Sequence, residues 1–421
     1  MKQLTFAKRN HQLTNINAWT PDSRWLAFDV RPSGASFTGQ TIERVNVESG
    51  EIEVLYRAPQ GAHVGVVTVN PHAPDRYVFI HGPENPDAAW RYDFHHRRGV
   101  VVEGGRATNL DAMDITEPYT PGALRGGSHV HVWSPDGSRL SFTYNDHVLH
   151  ERCPALDLRN VGVALPFGPV TPPQSHPREY GGSHWCALVS HTTPTPRPGS
   201  DDISRAYEEG WVGNQGYLKP DGTRQRWALA FIGDTCDRHG GRVPELFIVD
   251  LPEDEAAWKR PGMSPLAGTP TTMPAPPDGV AQRRLTFTHH FSHPGLVNSP
   301  RHWVRSDPGG ANLAFLMGDA NGVAQLWLMS PNGGEPRQLT HGLQGVDSAF
   351  NWHPSGRALG FVQGKRIVLC DANSGAITPL TEPLAVPPSA DAVVFSPDGR
   401  HIAWMQEVED FRQLFMTPID D

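Results

Sequence analysis

The sequence predicts an all-β protein, a single seven-bladed β-propeller over residues 1–421. Three observations predict it: a turn phrase that recurs seven times, glycine and proline scattered along the whole chain, and a first strand that repeats the phrase ending other blades. With 42 Gly and 40 Pro in 421 residues, helix breakers interrupt every segment, which excludes a helical bundle, coiled coil or helical solenoid. Twelve Trp, 17 Phe and 8 Tyr spread through the chain exclude disorder.

Each copy of the phrase places an aromatic or apolar residue before a Pro-Asp/Ser-Gly-like turn and a short apolar strand after it. In chain order the copies are Trp19-Thr20-Pro21-Asp22 before Trp25 to Phe28, Val69-Asn70-Pro71 before Tyr77 to Ile80, and Trp133-Ser134-Pro135-Asp136-Gly137 before Leu140 to Phe142. Lys219-Pro220-Asp221-Gly222 then precedes Trp227 to Phe231, and a looser copy runs from Trp303 through Asp307-Pro308-Gly309-Gly310 to Leu313 to Leu316. Trp352-His353-Pro354-Ser355-Gly356 and Phe395-Ser396-Pro397-Asp398-Gly399 complete the set. Proline presets φ for a tight turn that Asp and Gly complete, so each phrase joins two antiparallel strands. Third and fourth strands follow, as in Gln325 to Met329 and Arg337-Gln338-Leu339-Thr340, and four short strands repeated seven times make a propeller.

The last unit stops after Gln413 to Met416 without a fourth strand, while Gln3-Leu4-Thr5 repeats the fourth-strand phrase of Arg284-Leu285-Thr286 and Gln338-Leu339-Thr340. The N-terminal strand is therefore expected to close the last blade and cover its edge. Excess residues near 106–124, 144–182, 192–216 and 252–282 are expected to be loop insertions. Short helices are expected at Asp201 to Trp211 and Pro252 to Arg260, whose acidic starts suit a helix dipole.

A formal charge of −9 gives no basic stripe for a phosphate backbone, so no nucleic acid is expected as a partner. Met1 to Asn10 lacks the apolar core of a secretory signal, and no long apolar run follows, so neither a membrane nor export is expected and the cytoplasm is the expected compartment. Cys153, Cys186, Cys236 and Cys370 form no CxxC pair and read as buried thiols.

In a propeller the first strand of each blade lines the central channel. Four residues before the anchor aromatic stand Asn15, His129, Ser299, Ser348 and Asp391, all polar; two before it stand Asn17, His131, Arg301, Phe350 and Val393. On a regular strand His129 and His131 leave the same face. Gly126-Gly127-Ser128-His129 recurs as Gly181-Gly182-Ser183-His184, which suggests that His184 enters the hub too, and Gly61-Ala62-His63 is a third version. His129, His131 and His184, with His63 or Asp391 as further ligands, are the expected holders of a divalent metal such as Mn, Zn, Fe or Ni. Packing between blades is the alternative reading of the same histidines. His95-His96-Arg97-Arg98 reads as a structural run at a hairpin tip.

The Trp133-Ser134-Pro135-Asp136-Gly137 phrase with Leu339-Thr340-type endings resembles the TolB-like, or WD40-like, propeller superfamily. Leu13 to Asn17, Asp29 to Gly34, His95 to Gly99 and Gly127 to His131 resemble the bacterial YidR family over essentially the full chain, which implies the fold but no activity. Some members carry an ATP/GTP-binding label, yet Gly360 to Arg366 has the wrong spacing for a phosphate loop and no Ser or Thr after Lys365, so no nucleotide is expected. The oligogalacturonate lyases are similar in architecture and in placing a His-x-His pair at a hub metal. That resemblance implies a metal-dependent lyase acting on a small acidic carbohydrate, with Arg301 or Arg125 helping to neutralise the substrate carboxylate and His184 or His302 as base. A non-catalytic interaction platform or ligand sensor, with Trp211 and Trp258 as anchors for a protein partner, is the alternative.

Overall fold

The computed structural model describes residues 1–34, 36–59 and 61–419. Among the described residues seven antiparallel sheets of three or four strands follow one another along the chain, the sequential arrangement of a seven-bladed β-propeller, with a small two-stranded hairpin, Tyr217–Leu218 and Arg224–Gln225, within blade 4. Blade 1 has strands Trp25–Asp29, Thr41–Asn46 and Ile52–Arg57, with its innermost strand reduced to the bridges Gln12↔Asp29 and Trp19↔Leu26. Blade 2 runs through Val64–Asn70, Ala73–His81, Arg98–Glu103 and Arg106–Asn109, and blade 3 through Gly126–Trp133, Leu140–Asp146, Asn160–Leu165 and Trp185–Leu188. Blade 4 comprises Ala206–Trp211, Trp227–Cys236, Arg242–Leu251 and Gln282–Arg284. Blades 5 and 6 start at Arg305–Ser306 and Asn351–Trp352 and end at Arg337–Gln338 and Ile377–Pro379. Blade 7 has Pro388–Phe395, His401–Val408 and Phe411–Pro418, and Lys2–Gln3 supplies its fourth strand with Lys2 opposite Met416.

The recurring phrases have specific physical jobs. In the turn phrase, the Ser134 hydroxyl donates to Asp136 (2.7 Å) and accepts from the Arg139 N–H (3.0 Å); Ser396 with Asp398 and His401 repeats this. The inner tryptophans staple each blade to the one before: the indole N–H of Trp133 donates to Thr68 O, that of Trp211 to Val132 O, and that of Trp352 to Arg305 O. The Leu-Thr ending buries Leu4, Leu285 and Leu339, while Thr5, Thr286 and Thr340 accept the backbone N–H of Leu414, Leu246 and Leu326 within 2.9 Å. Each of these threonine hydroxyls also donates to a buried Gln or Glu on the neighbouring strand, so the motif satisfies polar groups that the edge of a blade would leave unpaired.

Two expectations need correction here. Asp201 to Trp211 is not helical, because Ala206–Trp211 is the inner strand of blade 4; the second expected helix is present at Glu255–Trp258, capped by Asp254. Trp258 is fully buried and Trp211 is one of the inter-blade staples, so neither is an exposed anchor for a partner. A helix the sequence reading missed, His147–Arg152, opens the insertion of blade 3 under an Asp146 cap. Among the described residues no helix is long and apolar enough to cross a membrane, and all four cysteines are unpaired, but only Cys186 and Cys370 are buried as expected, Cys236 being half-buried and Cys153 exposed.

Candidate functional site: an arginine-lined hub

The inner strands of blades 2, 3 and 4 each carry a residue in the left-handed region at the same place, three before the anchor: Val66 (φ 60°), Val130 (φ 50°) and Glu208 (φ 54°). The pairing register slips there in each blade, the signature of a β-bulge. Blade 1 has Asn17 (φ 49°) nearby in the same segment. An inserted residue reverses the alternation, so positions on either side of it no longer share a face. His129 consequently points into the hub, while His131 turns between blades, its Nε2 2.9 Å from Ser128 Oγ and hard against Gly99. The expectation that the two histidines act as a pair is corrected by this bulge.

The hub encloses a cavity of about 230 Å³ lined by Asn15, His129 and Asp391 from the polar ring, together with Arg31, Arg97, Arg159 and Arg301. Two of the arginines are already paired: Arg31 with Asp29 (2.7 Å) and Arg301 with Glu208 (2.8 Å). Arg97 and Arg159 have no carboxylate partner among the described residues. Arg97 lies over Phe37 and reaches His129 Nδ1 at 3.5 Å, and Arg159 donates only to Asn145 Oδ1 (3.1 Å). Burial lowers both guanidinium pKa values, that of Arg159 to about 10, with Arg205 adding repulsion. His129 sits between them with Nε2 buried and unpartnered, and its pKa is pushed well below the usual range by burial and then by Arg159 and Arg97. The cavity is thus an electropositive pocket holding a neutral imidazole, suited to a small anion.

Among the expected metal ligands, only His129 and Asp391 line this cavity. Asp391 faces Gln12 (3.4 Å) and Arg412 (3.7 Å). His63 immediately precedes the inner strand of blade 2, edge-on to Tyr92. His184 immediately precedes the outermost strand of blade 3, far from the hub side of that sheet; its backbone pairs with Leu110 and its ring with Ser183, so the second Gly-Gly-Ser-His copy belongs to the rim. The two copies share a steric need and not a location. A Cβ on Gly127 would lie 1.8 Å from Phe94 O and one on Gly182 2.3 Å from Ala112 N, so both glycines admit a crossing backbone.

The expected catalytic residues also divide. Arg301 lines the hub cavity and an adjoining cleft of about 470 Å³ that Arg159, Arg205 and Arg242 share. Arg125 is not available to a ligand: it is buried, paired with Asp146 at 2.6 Å, and bonded to the carbonyls of Thr269 and Thr272, which strap the 252–282 insertion to blade 3. His302 lies in the wall of the adjoining cleft, but its Nε2 accepts the Leu316 N–H (3.1 Å), which leaves that nitrogen no free lone pair to act as base. The sequence reading missed Arg31, Arg97 and Arg159. Their positions relative to the anchor aromatics are not on the first strands, so the ring comparison could not find them.

A second cluster lies beside the hub where the 94–96 segment of blade 2 crosses the start of blade 3. His95, His150 and Asp157 bring one ligand atom each within 4.8 Å of the others. His95 Nε2 is 2.5 Å and His150 Nδ1 3.5 Å from Asp157 Oδ2, and His95 Nδ1 is 2.9 Å from Asp93 Oδ1. Next to it His96 stacks on Trp90 at 3.7 Å and its Nε2 meets His147 Nδ1 at 3.2 Å. The run read as a structural hairpin tip is therefore part of a histidine-rich cluster.

A family model described as "Protein of unknown function (DUF3748)" matches residues 63–180. Solved structures of similar fold include an oligogalacturonate lyase in complex with manganese, at 11% identity, TM-score 0.57, and coverage of 100% of this chain and 93% of the other. Another is the oligogalacturonate lyase of Vibrio parahaemolyticus, at 9% identity with the same TM-score and coverage. The Escherichia coli (strain K12) protein "Uncharacterized protein YidR" is 68% identical over 420 residues, covering 100% of this chain and 97% of the relative. With that identity over its whole length, the chain belongs to the YidR family.

Proposed function

We propose that the hub cavity binds a small acidic carbohydrate and that the protein is a lyase-type enzyme acting on it with the help of a divalent metal. The observation that carries this reading is the pair of hub guanidiniums, Arg97 and Arg159, that have no carboxylate partner among the described residues. Desolvated cations without counter-ions are costly, and an anionic ligand supplies what they lack. A uronate carboxylate seated between Arg97 and Arg159 would have its charge neutralised, which acidifies the adjacent C–H bond. Once that carboxylate takes over the N–H donors of Arg97, the His129 Nδ1 that Arg97 reaches at 3.5 Å is released to act as the proton acceptor within the cavity. In β-elimination that proton leaves with the base, its electron pair forms the C=C bond, and the C–O bond to the neighbouring sugar breaks with a proton delivered to the leaving oxygen.

Two oligogalacturonate lyases share the fold, which supports the architecture and lends the chemistry only as analogy. A bound divalent ion would supply Lewis-acid neutralisation of the carboxylate. Four unpaired cysteines fit a reducing compartment, the cytoplasm. The test is incubation of metal-loaded protein with oligouronides, following ultraviolet absorbance of the conjugated double bond and product mass. Absorbance that rises with time and is lost in Arg97→Gln supports the reading; no product from any oligouronide or sugar acid sinks it.

A non-catalytic platform is the second reading. At the other end of the channel a wide funnel of about 1090 Å³ is lined by Trp133, Trp227, Trp352, Phe395 and the prolines of the turn phrases. Arg305 and Asn351 line this funnel and donate to the backbone carbonyl of Asn15, which lines the hub cavity.

A further inference from the structure

The geometry points to a divalent-metal site at His95, His150 and Asp157, separate from the histidines that the sequence pattern singled out. We propose that these three side chains bind one first-row divalent ion of the zinc or manganese type. The donors come from three segments: His95 from the short turn 94–96 of blade 2, His150 from the last turn of the helix His147–Arg152, and Asp157 from the loop that follows. Convergence of two imidazoles and a carboxylate within 4.8 Å is a donor set that suits such ions and leaves room for water or a ligand.

The outer contacts fix these donors as a metal site requires. His95 is buried, and its Nδ1 is held by Asp93 at 2.9 Å, so its Nε2 is the atom presented to Asp157. Asp157 in turn gives Oδ1 to the Asp146 N–H (2.8 Å) and to Asn145 Nδ2 (3.1 Å), which leaves Oδ2 facing both histidines. A carboxylate behind a histidine and hydrogen bonds behind a carboxylate are the supports that orient metal ligands and raise their basicity. The His150 side chain is 41% exposed while those of His95 and Asp157 are 2% and 5% exposed, so the cluster has a closed floor and one open side. Gly126 and Gly127 make the site possible: a Cβ on Gly126 would lie 2.5 Å from His147 N, and one on Gly127 1.8 Å from Phe94 O. Because Arg97, two residues after His95, lines the hub cavity, an ion here would sit beside the anion pocket. The metal site does not depend on the hub being catalytic.

The test uses full-length protein without a histidine tag, loaded with Mn²⁺ or Zn²⁺, desalted, and measured by elemental analysis and titration calorimetry. Wild type is expected to retain about one ion per chain. His150→Ala, which leaves the Asp93, His95 and Asp157 contacts in place, and Asp157→Asn should each weaken binding at least ten-fold with an unchanged circular-dichroism spectrum. His184→Ala should bind as wild type does. Failure of wild type to hold either ion, or binding that survives the folded double variant His150→Ala/Asp157→Asn, would overturn the assignment. Loss of metal binding with lyase activity intact would uphold this site and remove the metal from the reading of function.

Discussion

Blade 6 and blade 3 are two uses of one repeat. Blade 6 runs from Asn351 to Pro379 with tight turns, no left-handed residue on its inner strand, and Ser348 spent on the backbone N–H of Val362. Blade 3 runs from Gly126 to Leu188, bulges at Val130, grows the helix His147–Arg152, and turns His129 into the hub beside Arg97 and Arg159. The regular blade uses its inner-strand polar residues on the scaffold, Ser348 on Val362 N–H and Asn351 on the carbonyls of Asn15 and Val393. The irregular one leaves His129 Nε2 unpartnered and sets its Arg159 in the field of Arg97 from blade 2. The difference teaches where function is carried: the repeat builds the wheel, and its departures in blades 2 to 4 build the site.

The largest effect expected is on the wheel itself. Deleting residues 1–7 removes Lys2–Gln3, buried Leu4 and the Thr5 bond to Gln413, exposing the edge of blade 7. The melting temperature should fall far more than for an ordinary terminal truncation, and an unchanged melt would break the closure argument. In the regular part, Thr340→Ala strands the Leu326 N–H and Gln325 Oε1, and unfolding in denaturant should show a loss of about 1–3 kcal/mol. In the irregular part, Arg97→Gln should cost no stability, since it removes a desolvated cation without an ion pair, and should leave the melting temperature equal or higher. A clear drop in the melt would place Arg97 with the scaffold and dissolve the contrast between the blades.

The smallest effect is a pH dependence. Glu209, on the inner strand of blade 4, is fully buried, takes a side-chain hydrogen bond from Ser141 (3.2 Å), and burial raises its pKa to about 7. Its folded pKa lies above the unfolded value near 4.5, so the native state binds more protons between them. That contribution is present below pH 4.5 and is lost as pH rises through 7. Glu209→Gln should therefore raise stability at pH 8 by on the order of 2 kcal/mol and much less at pH 5. Equal gains at both pH values would contradict the assignment.

What was legible in the sequence follows the same division. Wherever a residue's job is local, the pattern found it: the Ser-Pro-Asp-Gly turns, the Leu-Thr endings, the Trp anchors and the closing strand are all set by neighbours in sequence or by the repeat. Of the positions counted back from the anchors, Asn15, His129, Asp391 and Arg301 line the hub cavity, whereas Ser299, Ser348, Asn17, Phe350 and Val393 do not. His131 does not either, because a single left-handed Val130 reverses a face and nothing in its side chain announces it. His184 was misplaced because Gly-Gly-Ser-His marks a close backbone crossing, which occurs at the hub in one copy and at the rim in the other. Arg97, Arg159 and the His95, His150 and Asp157 cluster come from loops and second-layer strands whose convergence depends on how blades stack. No spacing along the chain records that.

The central claim is that the hub holds an acidic sugar on Arg97 and Arg159, and titration calorimetry of an oligouronide against its neutral oligosaccharide counterpart tests it most directly. The account predicts saturable binding of the acidic ligand alone, weakened by added salt and reduced at least 100-fold in Arg97→Gln/Arg159→Gln, whose circular-dichroism spectrum should match wild type. Equal affinity for the neutral sugar, or acidic-ligand binding untouched by the double substitution, would contradict it.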